Sequence, residues 1–131
     1  MVLFCDGASR GNPGPGSFGY AIFEGEQTIA REGRTLGTVT NNVAEYEGVI
    51  QGLARCQELG ATEVTVKSDS QVLVRQLNGE YKIKAPHLQT LAQKARELSR
   101  GFEKVSFIHI PREENSLADK LANAALDGRV V

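Results

Sequence analysis

The chain has 131 residues, 40% hydrophobic and 24% charged, which suits one domain with a single core and leaves no room for two ordinary ones. Fifteen Lys and Arg against sixteen Asp and Glu give a net charge of -1, so no global positive field marks a nucleic-acid partner, and any such partner must be gripped locally. No apolar run reaches the roughly 20 residues of a membrane span, the opening segment turns polar at Asp6, too early for a signal peptide, and Cys5 and Cys56 lack paired spacing, so a soluble, cytoplasmic protein with reduced core thiols is expected.

Met1 to Cys5 is a short apolar run suited to a buried strand, and Phe18 to Phe23 alternates well enough to be a second. Gly25 and Glu26 form a hairpin turn into a third strand, Gln27 to Arg34. From Asn42 the period changes. Val43, Tyr46, Val49, Ile50, Leu53 and Cys56 make one face of a helix that stops at Gly60, with Asn41 or Asn42 as its cap. Glu63 to Lys67 is a fourth strand, entering the polar triplet Ser68, Asp69, Ser70 and a short helix through Leu77. Gly79 to Ala85 reads as a loop. Pro86 opens a helix with a seam of Leu88, Leu91, Ala92, Ala95 and Leu98, which Gly101 ends. Val105 to Ile110 is a fifth strand, and Asn115 or Ser116 caps a last helix that buries Leu117, Leu121, Ala122 and Ala125. The order βββαβααβα predicts a single α/β domain over residues 1–131. Its mixed sheet has later strands that run parallel to the first through helical crossovers, and helices cover its faces.

Four acids stand at the ends of these elements. Asp6 and Asp69 each follow a predicted strand; if the first and fourth strands are parallel neighbours, both emerge side by side at their carboxyl ends, where open α/β sheets place their sites. Glu45 and Asp119 lie near helix starts, where the macrodipole favours an acid in any case. Acids converging without a basic residue repel strongly at neutral pH unless a divalent cation neutralises them. Hard oxygen ligands select magnesium or manganese over zinc. The chemistry suited to such a cluster is phosphoryl transfer with two ions about 4 Å apart.

From about Leu3 to Ala125 the chain resembles ribonuclease H type 1, of the retroviral-integrase-like superfamily, through a series of ordered motifs. DGASRGNPGPGSFGY is similar to the family's first-strand segment, TNNVAEYEGVIQGL to the motif that supplies the helical glutamate, VKSDSQ to the third motif and HIPREENSLADKLA to the last. The resemblance implies a ribonuclease H-like five-stranded sheet of order 3-2-1-4-5, strand 2 antiparallel, with helices on both faces. It implies a monomeric endonuclease that cuts the RNA strand of an RNA/DNA hybrid and leaves 5′-phosphate and 3′-hydroxyl ends. Two Mg2+ ions, replaceable by Mn2+, would be held by Asp6, Glu45, Asp69 and Asp119. It also implies that Asn12 and Thr40 grip a DNA-strand phosphate, while Asn41, Asn42 and Gln71 reach minor-groove edges and ribose hydroxyls. Neutral amides suit that task, because backbone charges cannot tell RNA from DNA whereas a 2′-hydroxyl needs a donor or acceptor. The GNPGPG loop is expected to let backbone approach the sugar-phosphate chain.

Two departures narrow the resemblance. His109 stands at the distance from Asp119 that the catalytic-loop histidine of many bacterial members has, but falls inside the predicted fifth strand; Arg112 occupies the loop, as in members without that histidine, and is the expected auxiliary catalytic residue. The basic helix of the best-known bacterial subgroup is missing: only NGEYKIKAP stands there, with Lys82 and Lys84 as its cations, as in archaeal-like members. A non-catalytic binding module on the same fold would normally have lost one of the acids, and all four are present. Junction resolvases and exonucleases of the superfamily lack the TNN and DSQ pattern.

Overall fold

A computed structural model describes residues 1–129. Its strands are β1 (Val2–Ser9), β2 (Gly14–Glu24), β3 (Gln27–Val39), β4 (Glu63–Ser68) and β5 (Lys104–His109). Its helices are α1 (Asn41–Glu58), α2 (Gln71–Leu77), α3 (Pro86–Ser99) and α4 (Ser116–Asp127), with a single 3-10 turn at Arg112–Glu114. The sheet order is β3-β2-β1-β4-β5; β2 runs antiparallel to both its neighbours, and β1, β4 and β5 are parallel, so the expected architecture holds. No helix is long and apolar enough to cross a membrane among the described residues.

Strand alternation sorts the two faces. Leu3 lies against Gly52 of α1, and Leu3, Cys5 and Phe18 join Tyr46, Val49 and Leu53 in the main core, which α3 closes through Leu88, Ala92 and Ala95. The opposite face of β1 to β3 carries α4, whose Ala118, Leu121 and Ala122 are buried. Helices therefore cover both faces. The segment between α2 and α3 holds no further helix, and Lys82 and Lys84 stand exposed in it.

Four boundaries differ most from those expected, each for a reason that side-chain pattern does not carry. β3 runs on from Arg34 to Val39, because it stays paired with β2 as far as Gly14. β1 continues through Asp6 to Ser9, because it stays paired with β2 (Asp6 with Gly19, Ser9 with Gly16) after its apolar run has ended. Asp6 is therefore inside the strand, not past its end. β2 starts at Gly14, where Gly14 pairs with Val39 and Pro15 with Thr38, so the second half of the GNPGPG segment is strand and only Gly11, Asn12 and Pro13 are loop. The cap of α1 is Thr40: its backbone is extended (φ -83, ψ 164) and its hydroxyl accepts the Val43 N–H at 3.3 Å, leaving Asn41 and Asn42 as the first helical residues.

Candidate active site

The paired strands β1 and β4 bring two of the acids together. Val2 pairs with Thr65 and Phe4 with Lys67, after which the ladder opens; the same register carried two residues further sets Asp69 level with Asp6. Asp6 is thus hydrogen-bonded into the sheet on the β2 side and open on the β4 side. Two glycines bring the helical acids in. A Cβ at Gly7 would stand 2.3 Å from the Ala44 carbonyl carbon and the Glu45 nitrogen, so the bare backbone there lets the first turn of α1 rest on β1 with Glu45 beside the strand. Across the ladder from Asp6, a Cβ at Gly19 would stand 2.4 Å from the Ala118 oxygen, so α4 settles on β2 and carries Asp119 to Asp6.

The four carboxyls form a row: Glu45 is within reach of the charge of Asp69, Asp69 of Asp6, and the carboxyls of Asp6 and Asp119 meet. No group of three or more His, Cys, Asp and Glu side chains among the described residues is spaced to hold a metal ion as the side chains stand. Burial, followed by the Asp69 charge and the Asp119 carboxyl, pushes Asp6 up to about 8 against the pull of the Gly7 N–H, which donates to its Oδ1 at 2.9 Å. Burial pushes Glu45 up to about 7, with the Ser70 hydroxyl opposing and the Asp69 charge assisting. The charges acting on these two acids are all negative. An all-carboxylate donor set with no cation of its own is chemically fit for a hard divalent metal ion. Burial and the same acids push the Cys5 thiol far up, so it is an inert neighbour.

The residues expected to touch substrate fall in two places beside this row. Asn12 and Thr40 come together at the start of α1: the Asn12 Oδ1 accepts the Asn41 N–H at 3.1 Å, which leaves the Asn12 amide and the Thr40 hydroxyl as donors toward solvent. Asn41 and Asn42 are exposed on the first turn of α1. Gln71 is exposed as the first residue of α2, whose cap is Ser70, with its hydroxyl accepting the Leu73 N–H at 3.3 Å. His109 ends β5 beside Ser68 and is exposed; Arg112 is exposed in the 3-10 turn and joins no ion pair among the described residues.

Asn115 is the site residue that sequence reasoning missed as such. The sequence predicts it as a cap for α4, and it stands at that position, but its side chain makes no capping bond. Instead Nδ2 donates to the Cys5 carbonyl at 2.9 Å and to Asp69 Oδ1 at 2.9 Å. Its only sequence signal is the position four residues before Asp119.

A mixed sheet of order 3-2-1-4-5 with helices on both faces is the ribonuclease H-like fold. The family model described as reverse transcriptase-like matches residues 4–125. Ribonuclease HI of Halobacterium salinarum is 42% identical over 125 residues, 95% of this chain and 63% of that protein. The bifunctional protein Rv2228c of Mycobacterium tuberculosis is 41% identical over 129 residues, 97% of this chain and 35% of its own length, so the chain spans only part of these relatives. The crystal structure of RNase H1 from Halobacterium salinarum superposes with a TM-score of 0.95 at 41% identity, covering 97% of each chain. LC11-RNase H1 in complex with an RNA/DNA hybrid gives 0.91 at 38%, covering 97% of this chain and 96% of that one. The chain belongs to the ribonuclease H type 1 family, in its archaeal-like group without the basic protrusion, a family that generally requires divalent metal ions.

Proposed function

We propose that this chain, acting as one domain and as a monomer, hydrolyses the RNA strand of RNA/DNA hybrids and leaves 5′-phosphate and 3′-hydroxyl ends. The observation that carries the reading is the β1 to β4 register, which sets Asp6 level with Asp69 just beyond the last paired residues, with Glu45 and Asp119 drawn toward them by Gly7 and Gly19. The hybrid in the LC11-RNase H1 complex supports the substrate class.

Asp6, Glu45, Asp69 and Asp119 would hold two Mg2+ ions, with Mn2+ as a substitute; bound there, such ions supply an activated water and neutralise charge on the leaving oxygen. The chain's own contributions are positional. The Asn12 amide and Thr40 hydroxyl hold a phosphate of the DNA strand, and the exposed amides of Asn41, Asn42 and Gln71 meet base edges and ribose hydroxyls in the minor groove. Arg112, on the exposed turn ahead of α4 and seven residues before Asp119, would offer its guanidinium to the scissile phosphate. The two free, buried thiols suit a reducing compartment, and the cytoplasm is the proposed location.

The test is incubation with Mg2+ and an end-labelled hybrid, beside duplex DNA and duplex RNA, with the product ends mapped. Cleavage of the RNA strand of the hybrid alone supports the reading, and an uncut hybrid overturns it.

A further inference from the structure

Asn115 is 1% exposed, and its environment is not that of a helix cap. An asparagine at the start of a helix ordinarily turns its side-chain oxygen onto the N–H groups of the first turn. Here both Nδ2 protons point the other way, to the Cys5 carbonyl and to Asp69 Oδ1, each at 2.9 Å. Both partners are acceptors, so the amide can only present its nitrogen to them, and its Oδ1 has no partner among the described residues. Leaving an amide oxygen buried and unpaired is costly, so burial alone does not account for the arrangement.

Its contacts share one destination. Cys5 precedes Asp6, and its carbonyl lies just beyond the last β1 to β4 pair, where the ladder has no partner for it. The Asn115 backbone carbonyl accepts the Asp119 N–H at 3.1 Å. One residue therefore ties the strand that bears Asp6, the side chain of Asp69 and the helical turn that bears Asp119. It does so as a neutral donor. A Lys or Arg in its place would orient Asp69 equally well but would add a positive charge and oppose a cation.

We propose that Asn115 is a positioning residue for cation binding: it fixes Asp69 and Asp119 relative to Asp6 without neutralising them. This rests on the reading of the four acids as metal ligands. Asn115→Ala removes both donors, and Asn115→Ser keeps a single, shorter one. For each variant, folding is checked by circular dichroism and Mn2+ affinity is measured by calorimetry on the protein alone. Hybrid cleavage is then followed over a Mg2+ titration. Asn115→Ala should bind Mn2+ about 10-fold or more weakly. Its kcat at low Mg2+ should fall and recover as Mg2+ is raised, its KM for the hybrid should change less than about threefold, and Asn115→Ser should lie between it and the wild type.

Folded Asn115→Ala with wild-type Mn2+ affinity, or with a raised KM and unchanged Mg2+ requirement, overturns the proposal. So does failure of both variants to fold, which would make Asn115 a structural tether. If the wild type leaves the hybrid uncut, the nuclease reading falls, while the Mn2+ calorimetry still decides the role of Asn115.

Discussion

Asp6 faces Gly19 across the β1 to β2 ladder, and a methyl group on residue 19 would stand 2.4 Å from the Ala118 oxygen and 2.6 Å from the Ala122 nitrogen. The neighbours are backbone and cannot swing aside. Gly19→Ala must push α4 away from β2 and Asp119 away from Asp6. We expect it to cost about 1–3 kcal/mol in urea denaturation. Cleavage should drop by about a hundredfold, since small displacements of positioned groups have effects of that order. A Gly19→Ala enzyme with normal stability and rate would show that the approach of α4 is not what sets the site.

The raised Asp6 and Glu45 make stability depend on pH. Their folded values of about 8 and about 7 lie above the ordinary 3.8 and 4.5, so the fold prefers their neutral forms. That preference favours the folded state fully below about pH 4 and is lost as pH rises through 7 to 8. Metal-free protein should therefore melt lower at pH 9 than at pH 5. Asp6→Asn should flatten the curve and stabilise the protein at pH 9 by roughly 1–2 kcal/mol. Melting curves across that range check this; a variant less stable than wild type at pH 9 would contradict it.

Thr40 combines a cap with a proposed phosphate contact, and the two roles separate by comparison. Thr40→Ala should lose about 1 kcal/mol of stability and raise the KM for the hybrid. Asn42→Ala and Gln71→Ala, whose side chains are exposed, should leave the melting temperature within about a degree while weakening hybrid turnover. Normal kinetics in both amide variants would remove them from the substrate surface.

Lys82 and Lys84 are the exposed cations of the segment between α2 and α3. With a net charge of -1 overall, few phosphates are neutralised, so hybrid affinity should fall only shallowly with salt, at about 0.9 per neutralised phosphate on duplex DNA. Lys82→Ala with Lys84→Ala should raise KM modestly and leave kcat nearly unchanged. A steep salt dependence that vanishes in the double variant would make this short loop the main grip.

The order of the elements and the positions of Asp69 and Glu45 were legible from residue type and period, whereas the strand order 3-2-1-4-5 came from the resemblance to the family and Asp6 lies inside its strand and not past it. Asp69 sits after an alternating strand and before a capped helix, and Glu45 lies one turn into a helix with a regular apolar face. The parts that were not legible depend on partners distant in sequence. Nothing in the polar run after Cys5 reveals that β2 continues to pair with it as far as Ser9. Thr40, Asn41 and Asn42 are all competent caps, and only the extended backbone at Thr40 selects among them. The Asn115 side chain leaves its own helix for two acceptors that lie 110 and 46 residues away in sequence.

In the proposed function the four acids hold the metal ions for cleavage while other residues hold the hybrid. Asp69→Asn tests it, because the amide keeps the shape of the carboxylate and loses its charge. Hybrid dissociation constant and cleavage rate should be measured in parallel with Mg2+ for Asp69→Asn and wild type. Asp69→Asn should bind the hybrid within about threefold of wild type and cleave it at least about a hundredfold more slowly. Cleavage within tenfold of wild type would contradict the proposed function.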